Sequence, residues 1–346
     1  MRVALVAPFV AAIDDARPQI GGAQAVIADL ARGLAGRGHA VTLIAPRGSR
    51  VRGADVVDLG IDADPAAAVG SGTHRASQVA AFAAVGAWLA THPFDVVHAH
   101  AFDAPAFDCV RGANVIHTLH LPPLDEQVVA AARAASGVLA TVSASCRAAW
   151  RNAGVPIDEL LPNGIDLAAV PIGRGDGGYL AFAGRMSAEK DPAAACRVAR
   201  ALGARLRLAG PMYDEAFFAR EVEPLLGADA IYEGALDREA LWRFLGAATL
   251  TLLPVRWDEP FGMVALESLA AGTPVVAYAR GGLTAVVRDG RSGALVAPDD
   301  EPAFIDGVRR AIRVRRDDCR GDAARYDLAR MLDAHEGLYR RISPAA

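Results

Sequence analysis

What most restricts the fold of this chain is a regular alternation of short apolar runs with stretches of helical period, interrupted once near the middle and then resumed. Strand-like runs occur at 2–8, 40–46, 56–60, 94–100, 114–120 and 137–143, each short and bounded by glycine, proline or polar residues. Helices are predicted between several of them, over 23–34, 74–91, 124–135 and 144–153; Val26, Ile27, Leu30 and Leu34 give the first its one-sided apolar spacing. Strands joined through helices run parallel, and their sheet is covered on both faces. The stretch 153–176 is richer in glycine and proline, centres on Leu161-Pro162-Asn163-Gly164-Ile165-Asp166, and reads as a hinge between domains. Strands then return at 179–184, 205–210, 230–233, 250–254, 274–278 and 294–296, with helices over 191–202, 214–226, 238–247, 262–271, 301–315 and an amphipathic 323–341. A chain of 346 residues is long enough to bury two cores of ordinary size. The expectation is an α/β protein with two Rossmann-like domains, 1–165 and 166–322.

Composition narrows the function. Hydrophobic residues at 53% and charged residues at 22% are those of a globular protein, and a net charge of −4 offers no overall footprint for nucleic acid. Cys109, Cys146, Cys196 and Cys319 are far apart and form no Cys-x-x-Cys pair, as in reduced thiols of a cytoplasmic protein. Residues 1–12 carry Arg2 and Pro8 and read as a first strand rather than a signal peptide, and no apolar run reaches membrane-spanning length. Arg309, Arg310, Arg313, Arg315, Arg316 and Arg320 form a basic stretch that could meet acidic lipid. Asp306, Asp317 and Asp318 interrupt it, so a solvated helix face is expected and membrane association is disfavoured.

The chemistry-bearing residues collect just beyond carboxyl ends of the strands, where open α/β sheets bind ligands. Gly21 and Gly22 follow the first run without the Gly-x-Gly-x-x-Gly of a dinucleotide site; His98 and His100 end another, His120 the next, Ser143 the one after. In the second half Arg185, Pro211 and Glu259 stand in the same relation to their strands. Two sheets with these ends facing each other would make one central cleft. Within Asp258-Glu259-Pro260-Phe261-Gly262-Met263-Val264, a helix begins near Gly262 and offers free amides at Gly262, Met263 and Val264. A phosphate suits such a start. Glu259 precedes it, and Glu267, more than a turn on, faces inward among Ala265, Leu266 and Leu269. A ligand with phosphate in its middle and hydroxyls at both ends fits, as a sugar nucleotide does. In Gly184-Arg185-Met186-Ser187-Ala188-Glu189-Lys190-Asp191-Pro192, Arg185 and Lys190 leave one turn and suit two phosphates. The plain alternatives are solvated carboxylates and a surface ion pair of Arg185 or Lys190 with Glu189.

Glu259-Pro260-Phe261-Gly262 with Gly272-Thr273-Pro274, the Gly184-Arg185 and Lys190 pattern, and the glycine pair before the first helix with Gly38-His39 before the second strand resemble the signatures of retaining glycosyltransferases of family four. These have the GT-B fold of the glycogen-synthase-like superfamily. The resemblance implies that Glu259 binds hydroxyls of the transferred sugar and Glu267 the ribose. It implies that the amides of Phe261, Gly262, Met263 and Val264 hold phosphate, that Gly184 and Pro211 line the donor loops, and that Gly21 and Gly22 approach the diphosphate from the other domain. His120 would hydrogen-bond the sugar and stabilise charge near its anomeric carbon, alongside Arg185, Lys190 and Glu259. Asn163 would be a hinge residue at the cleft, and the terminal helix within 323–346 would brace the first domain. Retention is described in this family as a front-face substitution in which the leaving phosphate accepts the acceptor's proton, so neither metal nor cofactor is implied beyond a UDP-linked sugar as co-substrate. A small or natural-product-type acceptor is expected against the first domain, near the 9–20 loop with Phe9 and Ile13, His98, His100, Phe102 and 121–123. Asp191 replaces the glycine often found after the lysine, and Ala285 stands where a glutamate is usual. A GT-B nucleotide-sugar epimerase, a metal-dependent hydrolase using the histidines and a non-catalytic sugar-nucleotide binder remain alternatives.

Overall fold

The computed structural model describes residues 1–15, 21–65, 75–101 and 103–343. The chain divides into two compact units, Met1–Gly164 with Leu328–Ala346, and Ile165–Asp327. In the first, strands β1 (Arg2–Val6), β2 (Ala40–Ile44), β3 (Asp55–Val57), β4 (Val96–Ala99), β5 (Val115–Leu119), β6 (Val138–Thr141) and β7 (Glu159–Leu160) form one sheet of order β3-β2-β1-β4-β5-β6-β7, paired in parallel throughout. Helices α1 (Gly22–Gly36), α2 (Arg75–Thr91), α3 (Ala104–Cys109), α4 (Glu126–Ala134) and α5 (Ala144–Asn152) connect them. Strand β7 lies inside the stretch read as a hinge. It is only two residues long, and it is fixed by the Leu161 amide on the Thr141 carbonyl at 2.8 Å and the Leu139 amide on the Asp158 carboxylate at 2.8 Å. Glycine and proline around it hide so short an edge strand. Helix α3 is too short to show a period.

The second unit repeats the plan with β8 (Leu180–Ala183), β9 (Leu206–Ala209), β10 (Ala230–Tyr232), β11 (Leu250–Leu253), β12 (Val275–Tyr278) and β13 (Gly293–Val296), in the parallel order β10-β9-β8-β11-β12-β13. Its helices are α6 (Pro192–Ala201), α7 (Glu215–Phe217), α8 (Arg238–Ala247), α9 (Met263–Ala270), α10 (Leu283–Val286), α11 (Glu301–Ala311) and α12 (Arg316–Ala323). The helix expected over 214–226 is broken after α7 into a π turn, Phe218–Val222, and a 3-10 turn, Glu223–Leu225; Pro224 lacks the amide that an unbroken α-helix would use. The helix expected over 323–341 is divided too. Residues Ala324–Tyr326 form a 3-10 turn in the second unit, Asp327 is extended, and α13 (Leu328–Ile342) belongs to the first unit.

Each unit has its own core. In the first, Phe9 meets Phe82 edge to face at 5.5 Å between ring centroids, with Val6, Ile44 and Val85 around them. In the second, Phe182, Leu208, Leu252, Val276 and Phe304 lie together, fully buried. Burying one such side chain contributes about 2 kcal/mol. Helix α13 packs on α1: a methyl on Gly33 would come within 2.7 Å of Leu332, and Arg37 binds Asp333 at 2.7 Å. In both sheets the strand order reverses next to the first strand of the unit, between β1 and β4 and between β8 and β11. Loops leaving two strands at such a point turn in opposite directions and leave a crevice at their carboxyl ends.

Candidate active site

In the second unit the loops after β8 and β11 flank this crevice. Strand β8 runs into Gly184 at φ +157°, and β9 into Gly210 at φ +144°; a Cβ on Gly210 would stand 1.8 Å from the Gly184 carbonyl oxygen. The two strand ends therefore close on each other only as glycines. The Met186 amide donates to the Pro211 carbonyl at 2.9 Å, which ties the two loops together. Arg185 donates to Glu189 Oε1 at 3.0 Å and lies over Tyr213, 4.7 Å from its ring centroid. The ion pair with Glu189 left open as the plain alternative thus forms, yet Arg185 Nε is buried with no partner and keeps one donor unused.

Lys190 reaches the other loop. Its ammonium donates to Glu259 Oε2 at 2.5 Å, and the indole N–H of Trp257 donates to the same oxygen at 2.8 Å. The Lys190 nitrogen also stands 4.9 Å from the Trp257 ring centroid. Residues that the sequence places 69 positions apart are therefore in contact. Asp191, standing in for a glycine, adopts φ +49°, the left-handed region where glycine is unstrained. Its carboxylate offsets the strain: Oδ1 accepts the Ala194 amide at 3.0 Å, capping α6, and Oδ2 accepts Arg256 Nε at 2.6 Å. The Arg256 amide donates to the Glu189 carbonyl at 2.8 Å, so the loop after β8 and the loop after β11 are stitched together on both sides of Lys190.

Helix α9 starts at Gly262, φ +98°, with no side-chain cap. Helices α4, α5, α6, α8 and α11 are capped by Asp125, Ser143, Asp191, Asp237 and Asp300. The first amides of α9, Met263 and Val264, have no intrahelical acceptor, and the positive end of the helix lies behind them. A carboxylate cap would compete for the place of a ligand anion, and a glycine leaves it open. Behind the loop, a Cβ on Gly281 would come within 2.3 Å of the Glu259 carbonyl oxygen, and the Gly282 amide donates to that oxygen at 2.6 Å. This glycine pair, unassigned from the sequence, is the close-packed support of Glu259, and adjacent glycines were the visible signal. The Ala285 carbonyl accepts Arg325 and the Tyr326 hydroxyl, each at 3.1 Å, so hydrogen bonding at that position runs through the backbone. Glu267 is buried and faces inward, accepting Trp242 Nε1 at 3.4 Å.

In the first unit Gly21 is the extended, side-chain-free cap of α1 and Gly22 its first residue. The histidines beyond and beneath the strand ends are more buried than expected. His98, offered as an acceptor-side group, is fully buried with both ring nitrogens engaged, Nδ1 with the Tyr339 hydroxyl at 2.8 Å and Nε2 with Thr118 Oγ1 at 2.7 Å. It is a core histidine that joins β4 to α13. His100 stacks on it with ring centroids 4.0 Å apart and bonds His120 Nε2 through Nδ1 at 2.9 Å, while His100 Nε2 is buried without a partner. Burial, then the neighbouring His335, lowers the His120 pKa to about 4, which makes it a neutral hydrogen-bonding group near pH 7. Phe9 and Ile13 are likewise core residues, not part of an acceptor rim. Asn163 is buried with Oδ1 unpartnered, and Phe102 lies outside the described residues. Asp103, which the sequence did not single out, is nine-tenths buried with Oδ2 unpartnered; desolvation, helped by Asp125, raises its pKa from 3.8 to about 7. Among the described residues no three His, Cys, Asp or Glu side chains are grouped as metal ligands would be, and no helix is long and apolar enough to cross a membrane.

Residues 171–325 match the family model for glycosyl transferases group 1, and residues 20–169 that for glycosyltransferase family 4. The chain is 28% identical over 350 residues to a phosphatidyl-myo-inositol mannosyltransferase of Mycolicibacterium smegmatis, covering 90% of this chain and 84% of that protein. It is 52% identical over 77 residues to a D-inositol 3-phosphate glycosyltransferase of a Nocardioides species, a match spanning 22% of this chain and only 17% of that relative's length. Among solved structures, Anabaena Alr3699/HepE, determined in complex with UDP-glucose, superposes with a TM-score of 0.74 at 17% identity, covering 98% of this chain and 100% of that one. With two parallel Rossmann-like sheets and family models over both halves, the chain belongs to the family 4 glycosyltransferases of GT-B fold.

Proposed function

We propose that this glycosyltransferase moves a sugar from a UDP-sugar to a hydroxyl of a small polyol, with retention at the anomeric carbon and without a metal. The observation that carries the donor half of this reading is the meeting of Lys190 and Glu259 beside the uncapped start of α9. In this reading the donor's diphosphate takes the amides of Met263 and Val264, and Arg185 and Lys190 supply positive charge. When the bond from anomeric carbon to phosphate breaks, negative charge grows on the leaving diphosphate, and fixed cations bind that state more tightly than the ground state. The sugar hydroxyls take Glu259 and the ribose takes Glu267, since a carboxylate accepts from two hydroxyls at once. The leaving phosphate accepts the proton of the acceptor hydroxyl, so no protein base is assigned. A UDP-sugar is favoured by the UDP-glucose of the Anabaena structure, and a polyol acceptor by the inositol named in the relatives.

The test is nucleotide release from a panel of UDP- and GDP-sugars in EDTA, with myo-inositol and inositol phosphates as acceptors and the product anomer read by NMR. Release that depends on acceptor and survives EDTA is expected. Glu259→Gln and Arg185→Ala should each lower kcat/KM roughly 100-fold, as loss of a charge-stabilising group does, with melting unchanged. Loss of activity in EDTA, inversion at the anomeric carbon, interconversion of UDP-sugars without transfer, or full activity of both variants would each overturn a named part of this reading.

A further inference from the structure

Beyond the cations and carboxylates just assigned, the loop after β11 carries an aromatic residue with no role so far. We infer that Trp257 is a positioning residue that sets donor-sugar specificity by dividing the labour of the two Glu259 oxygens. The inference rests on the reading of Glu259 as the carboxylate that receives the sugar. Oε2 is filled by two donors, the Lys190 ammonium at 2.5 Å and the Trp257 indole N–H at 2.8 Å. Oε1 has no hydrogen-bond partner among the described residues. A carboxylate accepts at about four lone-pair positions, two on each oxygen, so two donors on one oxygen leave the other as the acceptor for a ligand.

The arrangement is braced by two further contacts and shielded from water. The Lys190 nitrogen lies 4.9 Å from the Trp257 ring centroid, so the indole holds the ammonium as well as the carboxylate. The Glu259 carbonyl is pinned by the Gly282 amide at 2.6 Å, which fixes the backbone from which the carboxylate projects. Glu259 and Lys190 side chains are 15% and 17% exposed, so water competes weakly for either. A carboxylate held this way presents Oε1 in one place and rotates little. A donor lacking the hydroxyl that meets Oε1 would leave a largely buried charged acceptor unpaired, the condition under which sites discriminate strongly. Without the indole N–H, Oε2 becomes free to accept a second hydroxyl or a water, and the carboxylate can turn, so the demand for one particular hydroxyl relaxes.

Trp257→Phe removes the N–H and keeps the ring beside Lys190. The wild type and this variant are compared for kcat/KM with the fastest of UDP-glucose, UDP-N-acetylglucosamine and GDP-mannose, with its deoxy and epimeric analogues at each ring hydroxyl, and for affinity toward UDP and GDP alone. The expected result is a strong wild-type preference at one ring position, on the order of 100-fold or more. In the variant that preference should fall at least 10-fold, while nucleoside diphosphate affinity and melting stay unchanged. An equal loss for every donor, cognate and deoxy alike, would mean that Trp257 only supports the fold and would overturn the inference, as would an unchanged preference. If the wild type binds no nucleoside diphosphate, the donor-site reading itself fails and takes this inference with it. That result is distinguishable because it appears before any variant is made.

Discussion

Burial shifts the titration of single residues in this chain in opposite directions. Burial lowers the pKa values of His98 and His100, and of His117, His120 and His335 to about 4, whereas it raises Asp103 to about 7. The signs of their contributions differ. The histidines bind protons more readily in the unfolded chain, so stability they support above pH 6.5 is lost as pH falls toward 4. Asp103 is the reverse: its contribution is complete below pH 3.8 and is lost as pH rises through 7. Asp103→Asn should therefore match wild type in stability near pH 4 and exceed it at pH 8, by at most about 4 kcal/mol for a shift of this size, with a higher melting temperature at pH 8 only. Melts of the two proteins across pH 4–8 cancel the histidine effect, which they share. A constant difference over that range would show that the carboxyl is not titrating as described. Asp103 also shows why burial escapes a reading of residues: nothing in Phe102-Asp103-Ala104 separates a buried acid from a loop charge. The Asp191 substitution is the converse. A departure noticed in the sequence proved to sit at positive φ with a compensating cap and an Arg256 partner.

At the scale of elements, the helix ends of the second unit carry the strongest constraints. Gly262 lets α9 begin where the chain has φ +98°, and a Cβ there would come within 2.7 Å of Leu283. Gly262→Ala should cost roughly 2 kcal/mol from the left-handed backbone and this clash, and should weaken UDP binding, measured by titration, even at a temperature where the protein stays folded. Normal affinity in a folded variant would remove α9's start from the donor site. The opposite end of α9 is held by the basic stretch that the sequence suggested was a solvated face. That expectation is corrected at two positions. Arg316 donates to the carbonyls of Gly173, Gly246, Ala248 and Ala271 and to the Thr273 hydroxyl, and Arg320 to those of Leu167, Val170 and Ala270. These carbonyls include those at the ends of α8 and α9, which lack intrahelical donors. Arg316→Met would strand them and should lower stability by roughly 3 kcal/mol, read by denaturant unfolding. A charge pattern cannot show this, because the backbone acceptors lie 45 to 153 positions away.

For the whole molecule, the course of the chain matters most. It leaves the first unit after Gly164 and re-enters it at Leu328. Met331, Leu332, Leu338 and Tyr339 of α13 are buried there, and the Tyr339 hydroxyl satisfies His98. Ending the chain at Asp327 should remove on the order of 5 kcal/mol or more of burial, comparable to the stability of a whole domain. Hydrogen exchange should then show the first unit unprotected and residues 165–327 still protected. Loss of protection in both units alike would contradict two separate cores, and loss in neither would contradict the dependence of the first unit on α13. The amino-acid sequence alone determined the parallel α/β plan, its repetition, and the strand-end positions of Arg185, Lys190 and Glu259, because period, glycine placement and helix starts are local properties. Only the tertiary structure decided that Lys190 and Trp257 share one Glu259 oxygen, that His98 is core, and that burial raises the Asp103 pKa. Those outcomes depend on which distant groups meet and how much water they lose, and no local pattern in the chain encodes either.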